Sequence, residues 1–215
     1  MLNRRRFLSN SVVLAATTSA GSSLFAGLAL AQEKTVDVAE LMKPQELPDM
    51  TMGNADAKVT VVEYMSMTCS HCAHFAETTL PTIKEKYIDT GKVYYVLREF
   101  PLDPLAAAAF MLARKAPGGK YFEVVDYLLK TQADWAFVPD PVAGLRNAAK
   151  QFGFSPATFD ATLSDQKLLD GINAIRERGS KSFGVDATPT FFINGVKTPG
   201  ALTVEQMSAK VDALL

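Results

Sequence analysis

Cysteine and histidine are scarce in this chain: its 215 residues include two of each, and a single tryptophan. Two cysteines cannot build the multi-bridge framework that braces small secreted folds. A closed structural zinc site takes four convergent ligands, generally from two separated elements. Here all the cysteines and histidines fall within Cys69-Ser70-His71-Cys72-Ala73-His74, and none remains elsewhere to complete such a site. An excess of charge of one sign is also missing, since 22 basic side chains stand against 23 acidic ones. No Lys/Arg cluster forms a face that could track phosphates, so nothing favours nucleic acid. Internal repeats and low-complexity segments are absent after the first thirty or so residues.

What is present starts with a leader. Arg4, Arg5 and Arg6 precede Phe7-Leu8 and an uncharged stretch rich in Ser, Ala and Leu that ends in Ala29-Leu30-Ala31. That pattern predicts a secretory signal over residues 1–31, cleaved near Ala31. The order Asn3-Arg4-Arg5-Arg6-Phe7-Leu8 resembles a twin-arginine signal, and the general secretory route stays open beside it. Three of the 22 basic residues lie in this leader, so the remaining 184 residues carry 19 basic and 23 acidic side chains, a formal balance of −4. That length suits one domain with a substantial core, preceded by a lead segment over 32–52. The two cysteines, separated by two residues, are then reagents: both sulfurs can meet and cycle between dithiol and disulfide.

The run from Lys58 to Met67 reads as a buried strand, with Val59, Val61 and Val62 making both faces apolar. A helix follows from the cysteines, with Phe75, Ala76, Thr79, Leu80, Ile83 and Tyr87 recurring at threes and fours and Gly91 at the expected C-cap. Pro81 removes a backbone donor and clashes with the carbonyl of Glu77, which predicts a kink or short break within one helix. Lys92 to Phe100 is a second strand, parallel to the first because a helix joins them. Residues 103 to about 180 are read as three or four helices forming a cap. Asp103-Pro104, Asp140-Pro141 and Ser155-Pro156 mark their starts, and the stripe Val142, Leu145, Ala149 and Phe152 is among the buried faces expected. Strand chemistry resumes at Thr190–Ile193, Asn194-Gly195 signals a type I′ hairpin, and Thr203 with Gln206 forms a capping box before a last amphipathic helix.

This order, an α/β chain in which a helical insertion separates a strand-helix-strand unit from a C-terminal hairpin and helix, resembles the DsbA-like branch of the thioredoxin superfamily over residues 53–215. The specific pieces are Val61-Val62-Glu63-Tyr64 leading to Cys69-Ser70-His71-Cys72, and Ala187-Thr188-Pro189-Thr190-Phe191-Phe192-Ile193-Asn194-Gly195. Ser70 stands where the best-known members commonly carry Pro, and Thr188 where strong oxidases often carry Val. Both positions tune redox potential and substrate handling in that family.

Cys69 is expected to be the nucleophile, at a helix N-terminus where free amides and the dipole favour a thiolate, with Cys72 one turn in and buried. Bringing a thiol from about 8.5 to about 4 takes roughly 6 kcal/mol, of which a dipole gives up to about 2. Direct hydrogen bonds from backbone amides and a tuning role for His71 are expected to supply the rest, with Ser70 as the other intervening residue. His74 is expected on the helix surface near a groove. Glu63, on the strand face shared by Val59, Val61 and Met65, should be buried with a raised pKa, a candidate proton carrier for Cys72. The resemblance implies a cis bond before Pro189, with the backbone of Thr188 free to pair with an extended substrate.

The function these observations imply is thiol:disulfide oxidation of reduced, exported polypeptides in the periplasm. No cofactor or metal is needed, and a membrane quinone-linked partner of the DsbB type, implied by the resemblance, would reoxidise the chain. A reductase or isomerase on the same scaffold is one alternative; a periplasmic copper or zinc binding module using the Cys/His cluster is another. Gln32–Thr51 is too short and too interrupted by Pro44 and Pro48 for a dimerisation module, so a monomer is expected.

Overall fold

The computed structural model describes residues 35–215, so the expected leader lies outside the described residues. The described chain runs through a one-turn helix α1 (Val38–Leu41), strand β1 (Met50–Met52), strand β2 (Val59–Met65), helix α2 (Ser70–Thr78), a further turn α3 (Leu80–Ile83) that widens into a π-helical turn (Lys84–Ile88), and strand β3 (Val93–Glu99). Helices α4 (Pro104–Arg114), α5 (Tyr121–Lys130), α6 (Gln132–Trp135), α7 (Pro141–Lys150), α8 (Pro156–Leu163) and α9 (Gln166–Phe183) follow. Strands β4 (Thr190–Ile193) and β5 (Val196–Pro199) and helix α10 (Val204–Asp212) complete it.

The sheet order is β1-β3-β2-β4-β5. β2 and β3 are parallel, with Glu63 opposite Leu97, and β4 runs antiparallel to β2, with Glu63 opposite Phe191. β2 is therefore interior, flanked on both edges, which is why its two faces are apolar. Val59, Val61 and Met65 join Tyr95, Leu97 and Phe191 in a core shared with α2, α4 and α5. Val62, Tyr64, Val96 and Phe192 face the other way, onto Leu41 of α1 and Ile175 and Phe183 of α9. Alternation by strand pleat thus divides the interior into two layers.

Local chemistry sets the turns. Asn194 and Gly195 both take positive φ, 44° and 84°, which is the conformation of a two-residue type I′ turn. Asp103, Asp140 and Ser155 each cap the helix that follows through a backbone amide, with proline in the first turn where no donor is required. Thr203 and Gln206 form the expected capping box.

Several sequence expectations are corrected. The lead is part of the domain, which begins before residue 53. Thr35 bridges Val196, Leu41 is buried, β1 pairs antiparallel with β3, and Asp49 binds the fully buried Arg98 at 2.8 Å. Three residues, Met-Thr-Met, are too few to show a period. The helix after the cysteines carries the expected short break, a single residue at Thr79, and what was not expected is the π-helical turn that follows it. Thr79 departs to φ −111°, and Pro81 lies in the first turn of the new segment, where its missing donor is harmless. The insertion holds six α-helices and a 3₁₀ turn (Pro117–Gly119) where three or four helices were expected, because short turns such as α6 carry too little pattern to count separately. Val142 is exposed, leaving Leu145 and Ala149 to face the core.

Glu99, fully buried on β3, is met by Arg114 at 2.6 Å and by the Tyr121 hydroxyl at 2.9 Å. Arg114→Met keeps the aliphatic volume and strands the carboxylate, so a loss of roughly 3–5 kcal/mol is expected in urea unfolding. A loss under about 1 kcal/mol would show that Glu99 does not depend on this partner.

Candidate redox site

β2 ends at Met65, and the Cys69 amide bonds back to the Ser66 carbonyl at 3.2 Å, turning the chain so that Cys69 becomes the N-cap of α2. No side chain caps this helix, so its first amides are left to the sulfur. On the other side, β4 pairs with β2 and carries the preceding loop to the same end of the sheet. The Thr188–Pro189 bond in that loop is cis, and Cys69 Sγ lies 3.2 Å from the Thr188 carbonyl oxygen. Sequence positions 119 residues apart thus meet at one sulfur.

The Cys69 thiol is pulled down to about 5. A hydrogen bond from the Cys72 thiol contributes most and outweighs burial, which acts the other way; the Thr188 hydroxyl and the backbone amides of Cys72 and His71 add to it. The thiol form donates to the Thr188 carbonyl, whereas the thiolate can only accept. The buried Thr188 hydroxyl has no other hydrogen-bond partner, and an ionised Cys69 is the neighbour able to accept its hydrogen bond. Cys72 is pushed well up, first by desolvation, then by giving its hydrogen bond to Cys69 and by the negative charges of Glu63 and Cys69. The two thiols therefore differ in kind: one is a stabilised anion and the other a proton donor.

Glu63 is buried at 3 % exposure, and desolvation raises its carboxyl from 4.5 to about 7 despite the opposing hydrogen bond from the Tyr95 hydroxyl. Tyr95 was read from the sequence only as a strand residue. It sits opposite Val61 and so is diagonal to Glu63 on the same face, a relation that only the strand register supplies. Glu63, Cys72 and Tyr95 line a cavity of about 530 Å³ together with Met65, Phe122 and Leu129; neither Cys69 nor Thr188 reaches it.

The other expected site residues are placed plainly. Ser70 and His71 are exposed at the start of α2, and the contribution of His71 to the sulfur comes through its backbone amide, not through its imidazole. His74 is exposed one turn on, beside a second cavity of about 280 Å³ formed with Thr78, Leu202, Thr203 and Glu205. Cys69 itself is only 8 % exposed, less open than expected of a nucleophile that meets clients. Among the described residues no group of three or more His, Cys, Asp or Glu side chains is placed to hold a metal ion. The Cys/His cluster is instead split, with the sulfurs turned in and both imidazoles turned out.

A helix N-terminal dithiol against a cis-proline loop on this sheet defines a protein of thioredoxin fold with a paired-cysteine site. A family described as thioredoxin matches residues 45–213. A Rickettsia bellii protein named protein-disulfide oxidoreductase is 36 % identical over 165 residues, covering 76 % of this chain and 63 % of that one. A Rickettsia typhi protein of the same kind is 33 % identical over 185 residues, covering 86 % and 68 %. The crystal structure of Wolbachia pipientis alpha-DsbA1 superposes with a TM-score of 0.72 at 31 % identity, covering 81 % of this chain and 94 % of that one. The chain belongs to the DsbA-like branch of the thioredoxin superfamily. It spans about two thirds of the length of those Rickettsia relatives. Among the described residues no helix is long and apolar enough to cross a membrane.

Two pH dependences follow. Because burial raises the Glu63 carboxyl from 4.5 to about 7, its ionisation costs stability: nothing below the lower value, increasing through that window, and constant above it. Glu63→Gln, whose amide oxygen can still accept from Tyr95, should match wild type near about pH 4 and exceed it by up to about 3 kcal/mol near about pH 8. Equal differences at both pH values would show that ionisation of Glu63 is not the cause. For the reduced chain, the ultraviolet absorbance of the thiolate should titrate with a midpoint of about 5. A midpoint in the ordinary thiol range would refute the stabilisation of Cys69.

Proposed function

We propose that this chain is a thiol:disulfide oxidoreductase that forms disulfides in reduced, exported polypeptides of the periplasm. The observation that carries the reading is the asymmetry of the pair: Cys69, low in pKa at the N-terminus of α2 and 3.2 Å from the Thr188 carbonyl, beside Cys72, whose thiol is pushed up. Stabilising one thiolate stabilises the reduced state, so the disulfide is the more reactive oxidant. In the oxidised chain, a client thiolate attacks Cys69, the Cys69–Cys72 bond breaks, and Cys72 leaves as a thiolate that needs a proton. Glu63, with a carboxyl titrating at about 7 on the wall of the cavity that Cys72 also lines, is positioned to supply it. A second client thiolate then attacks the client sulfur of the mixed disulfide. The client leaves oxidised, and the two electrons remain on the chain as a dithiol.

Thr188 and Pro189 form the platform against which an extended client would lie, with main-chain pairing giving affinity and little sequence preference. A quinone-linked membrane partner of the DsbB type would reoxidise the dithiol. The lead segment is tied to the sheet through Thr35, Asp49 and Met50–Met52, which supports a monomeric oxidase over an isomerase built around an N-terminal dimerisation module.

Cys69→Ser should abolish all exchange, while Cys72→Ser, whose Cys69 thiolate still attacks a peptide disulfide and releases one peptide thiol, should accumulate mixed disulfides, visible as protein–peptide adducts in mass spectrometry. Equal trapping by both variants would refute the assignment of roles. Light scattering with a scrambled-ribonuclease assay is expected to find a monomer that reactivates the scrambled protein poorly. A stable dimer with efficient reactivation would replace the oxidase by the isomerase.

A further inference from the structure

The loop that presents Cys69 is held from outside the strand-helix-strand unit. Met67, two residues before the nucleophile, is fully buried, and its carbonyl accepts a hydrogen bond of 2.7 Å from Nε2 of Gln132, a residue 65 positions away that is itself 6 % exposed. Gln132 opens α6, a single turn that would be a poor anchor alone. Trp135 at its end donates to the Leu128 carbonyl of α5 at 2.7 Å. Gly144 of α7 packs so tightly on Trp135 that a β-carbon there would lie 2.8 Å from the Trp135 Cα. The turn is therefore locked between its neighbours. Two shorter-range ties reach the same loop: Thr68 Oγ1 donates to Asp103 Oδ2 at 2.6 Å while Asp103 Oδ1 caps α4, and the Leu102 amide donates to Ser66 Oγ at 3.3 Å.

We propose that Gln132 is a positioning residue of the redox site: its amide, presented by the helical insertion, holds the Met67 carbonyl and through it sets how closely Cys69 approaches the amides at the start of α2. Gln132 touches neither sulfur nor client. Its effect is geometric, because charge-assisted hydrogen bonds to a thiolate weaken steeply as they lengthen or bend. The Thr68–Asp103 bond is the second point of the same clamp, and one hinge alone would leave the segment free to pivot about Met67. The insertion then does more than cover the sheet: it tunes the reagent. This inference extends the oxidoreductase reading only in its redox readout, since the acidity of Cys69 is measurable without any client.

The test uses the full chain. Gln132→Met keeps the side-chain length and removes the donor. The acid constant of Cys69, from thiolate absorbance of the reduced protein, is expected to fall about tenfold, and the glutathione equilibrium to move by about the same factor toward the disulfide. Thr68→Val should shift both in the same direction by a smaller factor, and Thr68→Ser should restore them. A merely structural role would lower the thermal midpoint while leaving titration and equilibrium at their wild-type values; that result would overturn the proposal. If Gln132→Met does not fold, the Thr68 pair decides: unchanged acidity in Thr68→Val refutes the clamp, and a shift that Thr68→Ser reverses supports it. A wild-type chain that fails to exchange with glutathione would count against the oxidoreductase reading, while the titration would still decide the role of Gln132.

Discussion

One stabilised negative charge, the thiolate of Cys69, organises this structure. An anion on a residue only 8 % exposed survives only if donors converge on it, and here they come from three directions: the thiol of Cys72, the first amides of α2, and the Thr188 loop. Each direction demands a different part of the fold. The amides require a helix that starts at the sulfur, and the Cys72 donor requires the two-residue spacing. The Thr188 loop requires β4 to run antiparallel beside β2. Remove any one and burial, which pushes the thiol up, regains ground.

The same charge sets the behaviour of its neighbours. In a low-dielectric interior, two adjacent anions repel strongly, so ionising Cys69 disfavours ionising Cys72 and Glu63. Both are indeed pushed up, with Cys69 among the causes in each case. The result is a site in which protons sit on Cys72 and Tyr95, Glu63 titrates at about 7, and the negative charge sits at the helix terminus. Elsewhere the interior tolerates formal charge only as pairs. Arg98 with Asp49 lies on the opposite sheet layer, and Arg114 with Glu99 lies farther along β3. Neither pair shares a hydrogen bond with the sulfurs; Arg98 ties the sheet to the lead segment, and Arg114 ties it to the insertion.

Much of this was legible residue by residue. An acid among Val59, Val61 and Met65 on one strand face has to be buried, and Glu63 is. Asn194-Gly195 predicts positive φ at both positions, and both are positive. What could not be read were relations across the chain. Tyr95 becomes the partner of Glu63 through the β2–β3 register; the imidazole of His71, which looked like the natural tuner, points to solvent while its amide does the work. A side chain's neighbour in sequence is close only in the backbone sense, because helix geometry sends consecutive side chains about 100° apart. The lead segment was misjudged for a similar reason: β1 gains its identity from pairing with β3 and from the buried Arg98, not from its own three residues.

The sequence by itself determined the chemistry available to this protein: two thiols at reacting distance, a strand leading into them, a helix starting at them, and a Thr-Pro step before a hairpin. These are local facts, governed by spacing, backbone propensity and the hydrophobic period. The helix start also pointed to Cys69 as the anion; only the tertiary structure decided how far its acidity moves and which distant groups hold it there. Those outcomes depend on burial and on hydrogen bonds spanning 65 residues to Gln132 and 119 to Thr188. Desolvation and hydrogen-bond geometry are properties of assembled surroundings, and no run of consecutive residues contains them.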